Sequence, residues 1–331
     1  MDKTRKIFIS ARLDPKWLGK LNSYGQVDYY DWGKANRLLS PEELKTRIQG
    51  NEILVIETDT ITNDMVDNAP DVKLIVICKG GVVNLDVNYA VSKGIIVANT
   101  PGRNADSVAD LTVCFMIMIS RHVCNAINLF REEQWPIVGK RETYLKFQGY
   151  ELYGRTAGLV GLGAIGRRVA SRLQAFHMRV IAFDPYYSKE KAEEEGIELV
   201  DIDTLARQSD FVSLHAPVTP ETRGMFGENQ LKLMRPDAFF INTARAELTD
   251  EVALLSALQN NAIAGAAVDV FMEEPLPPES PWYKLSNVIC TPHIGGASLD
   301  VIQHQSEMAV QAVIAYCEGK KPEFLVIPST K

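Results

Sequence analysis

Short, uninterrupted apolar runs alternate with polar, helix-length stretches through most of the chain. Ile7-Phe8-Ile9, Ile53-Leu54-Val55-Ile56, Leu74-Ile75-Val76-Ile77 and Ile95-Ile96-Val97-Ala98 punctuate the first hundred residues. Each reads as a strand buried on both faces, because a strand with one wet face alternates polar and apolar positions instead. Ser40-Pro41-Glu42-Glu43 opens one intervening helix, with Ser as cap, Pro in the first turn and an acid at the third position. The same rhythm returns after residue 156. Strands are predicted at Gly158-Leu159-Val160, at 179–183, 198–200, 211–215, 238–242 and 264–270, and at 288–291, with helices over 189–195, 202–208 and 228–234 and from the Asp250 cap to Gln259. One amphipathic helix over Leu299 to Cys317 closes the pattern. It is the signature of α/β architecture, two Rossmann-like domains with doubly wound parallel sheets.

Two stretches break the rhythm. Ser107 to His122 is apolar nearly all round between Leu111 and Ile119, which predicts a long buried helix. Asn125 to Tyr153 then carries Trp135, Tyr144, Phe147 and Tyr150, more aromatic surface than a solvated loop holds. A second subunit is the expected cover, ahead of packing within the same chain. Asn99-Thr100-Pro101-Gly102-Arg103-Asn104 marks a domain crossing.

Thr156 to Ala170 combines a strand, the turn Gly161-x-Gly163-x-x-Gly166 and a helix predicted to bury Val169, Leu173 and Phe176. This is the context for a dinucleotide: the first glycine allows the turn, the second admits a pyrophosphate to the backbone, and the third lets helix pack on strand. The next strand, Arg179 to Phe183, ends in Asp184, 18 residues after Gly166. An acid there accepts hydrogen bonds from the adenosine ribose hydroxyls and repels a 2′-phosphate, which favours NAD over NADP.

Length and composition agree with two domains: 331 residues, 46% hydrophobic and 23% charged. A formal charge of -7 disfavours nucleic acid and anionic membrane as partners. The longest apolar stretch, Val113 to Ile119, is far short of the roughly 20 residues that span a bilayer, and no signal-peptide core follows Met1; a cytoplasmic location is expected. The five cysteines form no CxxC pair, and no His or Cys spacing predicts a metal site.

Three polar residues stand just past successive strands of the nucleotide domain: Arg245, Glu274 and His293. In a parallel sheet such positions share one edge and converge on the cofactor crevice. Hydride transfer to a 2-oxo acid needs a planar, permanent cation for the carboxylate and carbonyl, which arginine supplies. It also needs an acid near neutrality for the developing alkoxide, which histidine supplies, and a carboxylate to orient the imidazole and favour its charged form.

The chain resembles the D-isomer-specific 2-hydroxyacid dehydrogenase family over essentially its full length. The motifs that carry the resemblance are Gly158-Leu159-Val160-Gly161-Leu162-Gly163-Ala164-Ile165-Gly166, Leu214-His215-Ala216-Pro217, Ile241-Asn242-Thr243-Ala244-Arg245, Gly265-Ala266-Ala267-Val268-Asp269-Val270-Phe271, Glu274-Pro275 and Thr291-Pro292-His293-Ile294-Gly295-Gly296. The resemblance implies Arg245, Glu274 and His293 as the catalytic set and Asp269 as acceptor for the nicotinamide carboxamide. It further implies NAD contacts from Thr112, Gly161, Gly163, Ala164, Ile165, Gly166, Asp184, His215, Pro217, Thr222, Thr243, Ala244, Arg245, His293 and Gly295. By the same resemblance a flavodoxin-like substrate domain is built from 1–103 and 298–331, a nucleotide domain from 104–297, and the active site lies in a cleft between them. A homodimer is implied, with 120–153 as its arm.

The substrate loop departs from the family pattern. Cys78-Lys79-Gly80-Gly81-Val82-Val83-Asn84-Leu85-Asp86 places Lys79 where a small residue is usual, beside backbone amides that in the family hold the substrate carboxylate. Lys79, Gly80 and Gly81, with Arg245 and His293, are therefore expected to bind substrate, Lys79 through a second anionic or hydroxylated group. Glu57 and Asp59 occupy a loop where the phosphoglycerate enzymes carry arginines, and two acids there would repel a phosphate. The expectation is an NAD-dependent oxidoreductase acting on a small polar D-2-hydroxy or 2-oxo acid. D-3-phosphoglycerate dehydrogenase, and a non-enzymatic NAD-sensing partner protein of the same fold, are the alternatives.

Overall fold

The computed structural model describes residues 5–328, and two compact units emerge. One runs to Asn104 and takes up the chain again at Ser298; the other is Ala105–Ala297.

The first unit is a sheet of β1 (Lys6–Ser10), β2 (Gln26–Tyr30), β3 (Ile53–Ile56), β4 (Leu74–Ile77) and β5 (Ile96–Asn99), all parallel, in the order β2-β1-β3-β4-β5. β2 escapes the apolar-run criterion because it is an edge strand, half-buried, with Asp28, Tyr29 and Tyr30 in its five residues. Ser40 caps its helix as the sequence predicts, accepting the Glu43 N–H, while the Glu43 side chain closes the capping box. The helix Leu299–Cys317 also belongs to this unit: Ala309, Val310 and Val313 are buried with Ile7, Ile9, Val55 and Val76.

The second unit holds seven parallel strands: β6 (Thr156–Val160), β7 (Arg179–Phe183), β8 (Glu198–Leu199), β9 (Phe211–Leu214), β10 (Phe239–Asn242), β11 (Gly265–Val268) and β12 (Val288–Cys290). Their order is β12-β11-β10-β9-β6-β7-β8. Alternate residues serve opposite faces. Leu159, Phe211, Phe239 and Ala267 join one core with the helices 105–120 and 164–175, and Val160, Val212, Phe240 and Ala266 join the other. This two-sided burial is why the strands read as unbroken apolar runs.

Three expectations are corrected. The long helix is Ala105–Ser120, not 107–122; it ends because His122 takes a left-handed conformation, φ 52°, from which a new helix, Val123–Arg131, departs. That first helix is not buried all round, since Cys114 is exposed and Leu111, Ile117 and Met118 are half-buried. Phe176 does not continue the buried face of Val169 and Leu173. The helix stops at Ala175, and Phe176, its C-cap, is exposed.

The stretch 120–153 forms three helices, Val123–Arg131, Trp135–Val138 and Lys140–Lys146. Phe130, Trp135, Ile137, Tyr144, Leu145 and Tyr153 all remain exposed, so the unit's own atoms do not cover them.

Candidate active site

The glycine turn follows β6 where the strand order reverses between β6 and β9. Gly161 has φ +97°, and a Cβ there would come within 2.9 Å of the Ala216 nitrogen. A Cβ on Gly166 would meet the Gly161 carbonyl at 2.1 Å, so the helix can approach the strand only without one. Gly163 differs: nothing of the chain lies within 4 Å of its Cβ position. Its own fold does not require that glycine, and the open space is what a ligand against the backbone would use. The helix Ala164–Ala175 starts at Gly163 with no side-chain cap, leaving the N–H groups of Ala164, Ile165 and Gly166 without intrahelical partners. Such a start suits a diphosphate.

Asp184, half-buried at the end of β7, accepts the N–H of Leu162 at 2.8 Å and of Tyr186 at 3.0 Å. It thereby holds the turn from the end of the neighbouring strand. The ring of His215 is turned into the core of its own unit. The imidazole is buried on the Ser213 hydroxyl at 3.0 Å, and burial pushes its pKa down to about 3, so the ring stays neutral. Thr222 donates to the Pro217 carbonyl at 2.6 Å, shaping the loop after β9. Thr112 is fully buried, bonded to the Val108 carbonyl and, at 2.8 Å, to the Thr243 hydroxyl, so these two threonines pair beneath the loop that carries Ala244 and Arg245.

Arg245, Glu274 and His293 follow β10, β11 and β12, three neighbours in the sheet. The His293 ring donates from Nδ1 to Glu274 Oε2 at 2.8 Å, and Glu274 Oε1 accepts the Phe271 N–H at 2.9 Å. Partial burial works to raise the Glu274 carboxyl, but these hydrogen bonds and the charges of His293 and Arg245 outweigh it and hold its pKa below the usual carboxylate range. Arg245 is exposed. Asn242 fixes its backbone, donating to the Arg245 carbonyl at 2.9 Å and accepting the Ala244 N–H at 3.0 Å.

Asp269, the residue expected to meet the nicotinamide, carries a carboxylate that already has partners within the chain. It is 1% exposed and accepts the N–H groups of Ile294 and Gly295 at 2.7 Å each, with the Thr291 hydroxyl at 2.5 Å. It anchors the turn in which His293 adopts φ +54°. Thr291 and Asn242 are the positioning residues that spacing alone does not single out; both lie inside motifs, and only their hydrogen bonds give them a task.

In the first unit, Lys79 and Gly80-Gly81 follow β4, with Lys79 half-buried and the glycines exposed. Glu57 and Asp59 do not face outward as repelling acids. Glu57 is buried against Arg12, Trp32 and Arg103, and Asp59 is bonded to the Ser10 hydroxyl. Cys78 is wholly buried, which pushes its thiol pKa far up.

A dinucleotide turn and an imidazole–carboxylate pair beside an arginine, all on one sheet edge, define a nicotinamide nucleotide-dependent dehydrogenase. The chain belongs to the D-isomer specific 2-hydroxyacid dehydrogenases: the model of that family's NAD binding domain matches residues 113–295, more than half its length. It is thus an oxidoreductase that moves a hydride between a nicotinamide cofactor and a small 2-hydroxy or 2-oxo acid. It is 36% identical over 322 residues to a glyoxylate reductase of Thermococcus litoralis, covering 97% of this chain and 96% of that one. It is 39% identical over 290 residues to a D-3-phosphoglycerate dehydrogenase of Methanocaldococcus jannaschii, covering 87% of this chain but 54% of the longer enzyme. Among solved structures it is similar to the TT0316 protein of Thermus thermophilus, with a TM-score of 0.84 at 33% identity, covering 97% of this chain and 100% of that one.

Proposed function

We propose that this enzyme interconverts a small polar 2-oxo acid and its D-2-hydroxy acid with NAD rather than NADP, through His293, Glu274 and Arg245. The observation that carries the reading is the contact of His293 Nδ1 with a carboxylate itself tied to the Phe271 N–H. With Nδ1 committed to Glu274, Nε2 is the nitrogen left to give a proton to the substrate oxygen in reduction and to take it back in oxidation. The carboxylate beside the ring holds it in that orientation. Arg245 grips the substrate carboxylate and polarises the carbonyl through its planar, charged donor fork. When bound, the nicotinamide cofactor would supply the hydride to the carbonyl carbon. The Gly161–Gly166 turn, Pro217, Thr222 and the backbone at 243–245 and 293–295 would hold it, over the buried Thr112–Thr243 pair.

The preference for NAD rests on Asp184, whose charge at the ribose position opposes a 2′-phosphate. Gly80 and Gly81 would offer backbone to the substrate carboxylate, with Lys79 as a further cation. The exposed Phe130, Trp135, Ile137 and Tyr144 support a homodimer through 120–153. Sedimentation at dilute concentration tests that arrangement, and a monomer would remove it.

The decisive assay follows oxidation of NADH, and of NADPH in parallel, with a panel of 2-oxo acids including glyoxylate. His293→Ala should lower turnover by about 10²- to 10⁴-fold while NADH affinity stays within a few-fold. Unimpaired turnover would sink the assignment.

A further inference from the structure

We infer that Arg12, laid against the indole of Trp32, reads a second anionic group on the substrate, beyond the carboxylate next to its carbonyl. The inference rests on the reading of the carboxyl edge of the five-stranded sheet as a substrate edge, and it names the substrate class.

Strand order in this unit reverses between β1 and β3, and open α/β sheets take ligands at such a switch point, beyond the carboxyl ends of the strands. Arg12 comes two residues after β1, and Glu57 directly follows β3. Glu57, 7% exposed, organises the place. Its Oε2 accepts the Arg12 backbone N–H and the Trp32 indole N–H, both at 3.0 Å, and its Oε1 lies 3.5 Å from the Arg103 guanidinium. Arg103 in turn donates to the side chain of Gln305, which donates to the Arg12 carbonyl at 2.6 Å. A buried carboxylate thus fixes both the backbone of Arg12 and the ring beside it.

The Arg12 side chain lies over that ring. Its guanidinium carbon is 5.5 Å from the Trp32 ring centroid. Gly33 packs closely against it, since a Cβ there would come within 2.8 Å of Arg12 Nε. Among the described residues no carboxylate pairs with Arg12 within 4.0 Å, although Glu57 pairs with Arg103 and Asp31 with Lys34 close by. A half-buried guanidinium over an aromatic ring, its backbone held and its donor fork without a partner among the described residues, is suited to a carboxylate or a phosphate. Lys79, past the adjacent strand β4, adds a second cation on the same edge. The acids that would have opposed an anion are consumed: Glu57 by Arg12, Trp32 and Arg103, and Asp59 by Ser10.

The ligand class is a 2-oxo acid with a distal oxyanion, either a dicarboxylate or a phosphorylated acid. The test compares kcat/KM with NADH for glyoxylate, which has no distal group, for oxaloacetate and 2-oxoglutarate, and for 3-phosphohydroxypyruvate, in wild type, Arg12→Gln, Arg12→Lys and Trp32→Phe. Wild type should prefer a dicarboxylate or the phosphorylated acid to glyoxylate by about tenfold or more; which of the two it prefers identifies the source of the oxyanion. Arg12→Gln should cut that preferred substrate by about 10- to 100-fold, chiefly through KM, and glyoxylate by no more than about threefold. Arg12→Lys should recover part of the loss, and Trp32→Phe should fall between, with thermal midpoints checking that each variant folds. Equal losses on all substrates, or no preference for either anionic acid while glyoxylate is reduced, would overturn the inference. Wild type inert towards every 2-oxo acid would overturn the proposed function, and this inference with it.

Discussion

Asp269 accepts the backbone N–H of Gly295 at 2.7 Å, two residues past the imidazole of His293. With Ile294 N–H and the Thr291 hydroxyl on its other oxygen, this buried carboxylate holds the turn that aims the imidazole at its site. Asp269→Asn keeps the shape but sets an amide NH₂ against N–H donors. It should cost about 1.5–3 kcal/mol of stability and lower kcat by about tenfold or more. Chemical denaturation and steady-state kinetics on the same preparation check both. An undiminished kcat would show that the turn is held by something else.

Glu274 carries a pH dependence of determined sign. Its folded pKa is depressed, so the stability it contributes is present above the ordinary carboxylate range and is lost as pH falls through the folded value. The gap in thermal midpoint between wild type and Glu274→Gln should therefore close on acidification and be widest at neutral pH. In kinetics, that variant replaces the carboxylate that orients the His293 ring, so kcat for reduction should fall by about tenfold or more. An undiminished kcat would separate Glu274 from the proton transfer.

Asp184 ties cofactor choice to the shape of the glycine turn, because its carboxylate accepts the Leu162 N–H. Asp184→Ser should lower the NADH-over-NADPH ratio of kcat/KM by about tenfold or more, mostly by losing NADH. Measuring both cofactors at saturating substrate reads the ratio directly. An unchanged ratio would mean that discrimination lies elsewhere.

Gly166→Ala tests close packing rather than a ligand contact. The new methyl would meet the Gly161 carbonyl at 2.1 Å, so helix and strand must separate. A loss of about 1–3 kcal/mol in stability is expected, together with weakened NADH binding. Gly163→Ala, where the chain leaves open space, should weaken NADH binding with little change in thermal midpoint. Equal destabilisation by both would contradict the distinct roles of the two glycines.

Sequence alone determined the two parallel sheets, the turn after β6 and the three polar residues past β10, β11 and β12. Burial on both faces writes itself as unbroken apolar runs, and a dinucleotide turn needs glycine at fixed spacing. β2 was illegible because a half-buried edge strand with Asp28 and two tyrosines obeys neither pattern. The left-handed break at His122 and the exposed Phe176 were equally invisible, since apolar periodicity does not register where a helix stops.

What only the tertiary structure decided is which side chains are already spent. Glu57 and Asp59 look like free acids in the sequence and are buried against Arg12, Trp32, Arg103 and Ser10, while Asp269 belongs to the His293 turn. Hydrogen bonds join residues tens to hundreds of positions apart, so no local pattern records them. A charge becomes available to a ligand only after the folded chain has made its own claims on it, and among the described residues Arg12 is a cation whose donor fork those claims leave unspent.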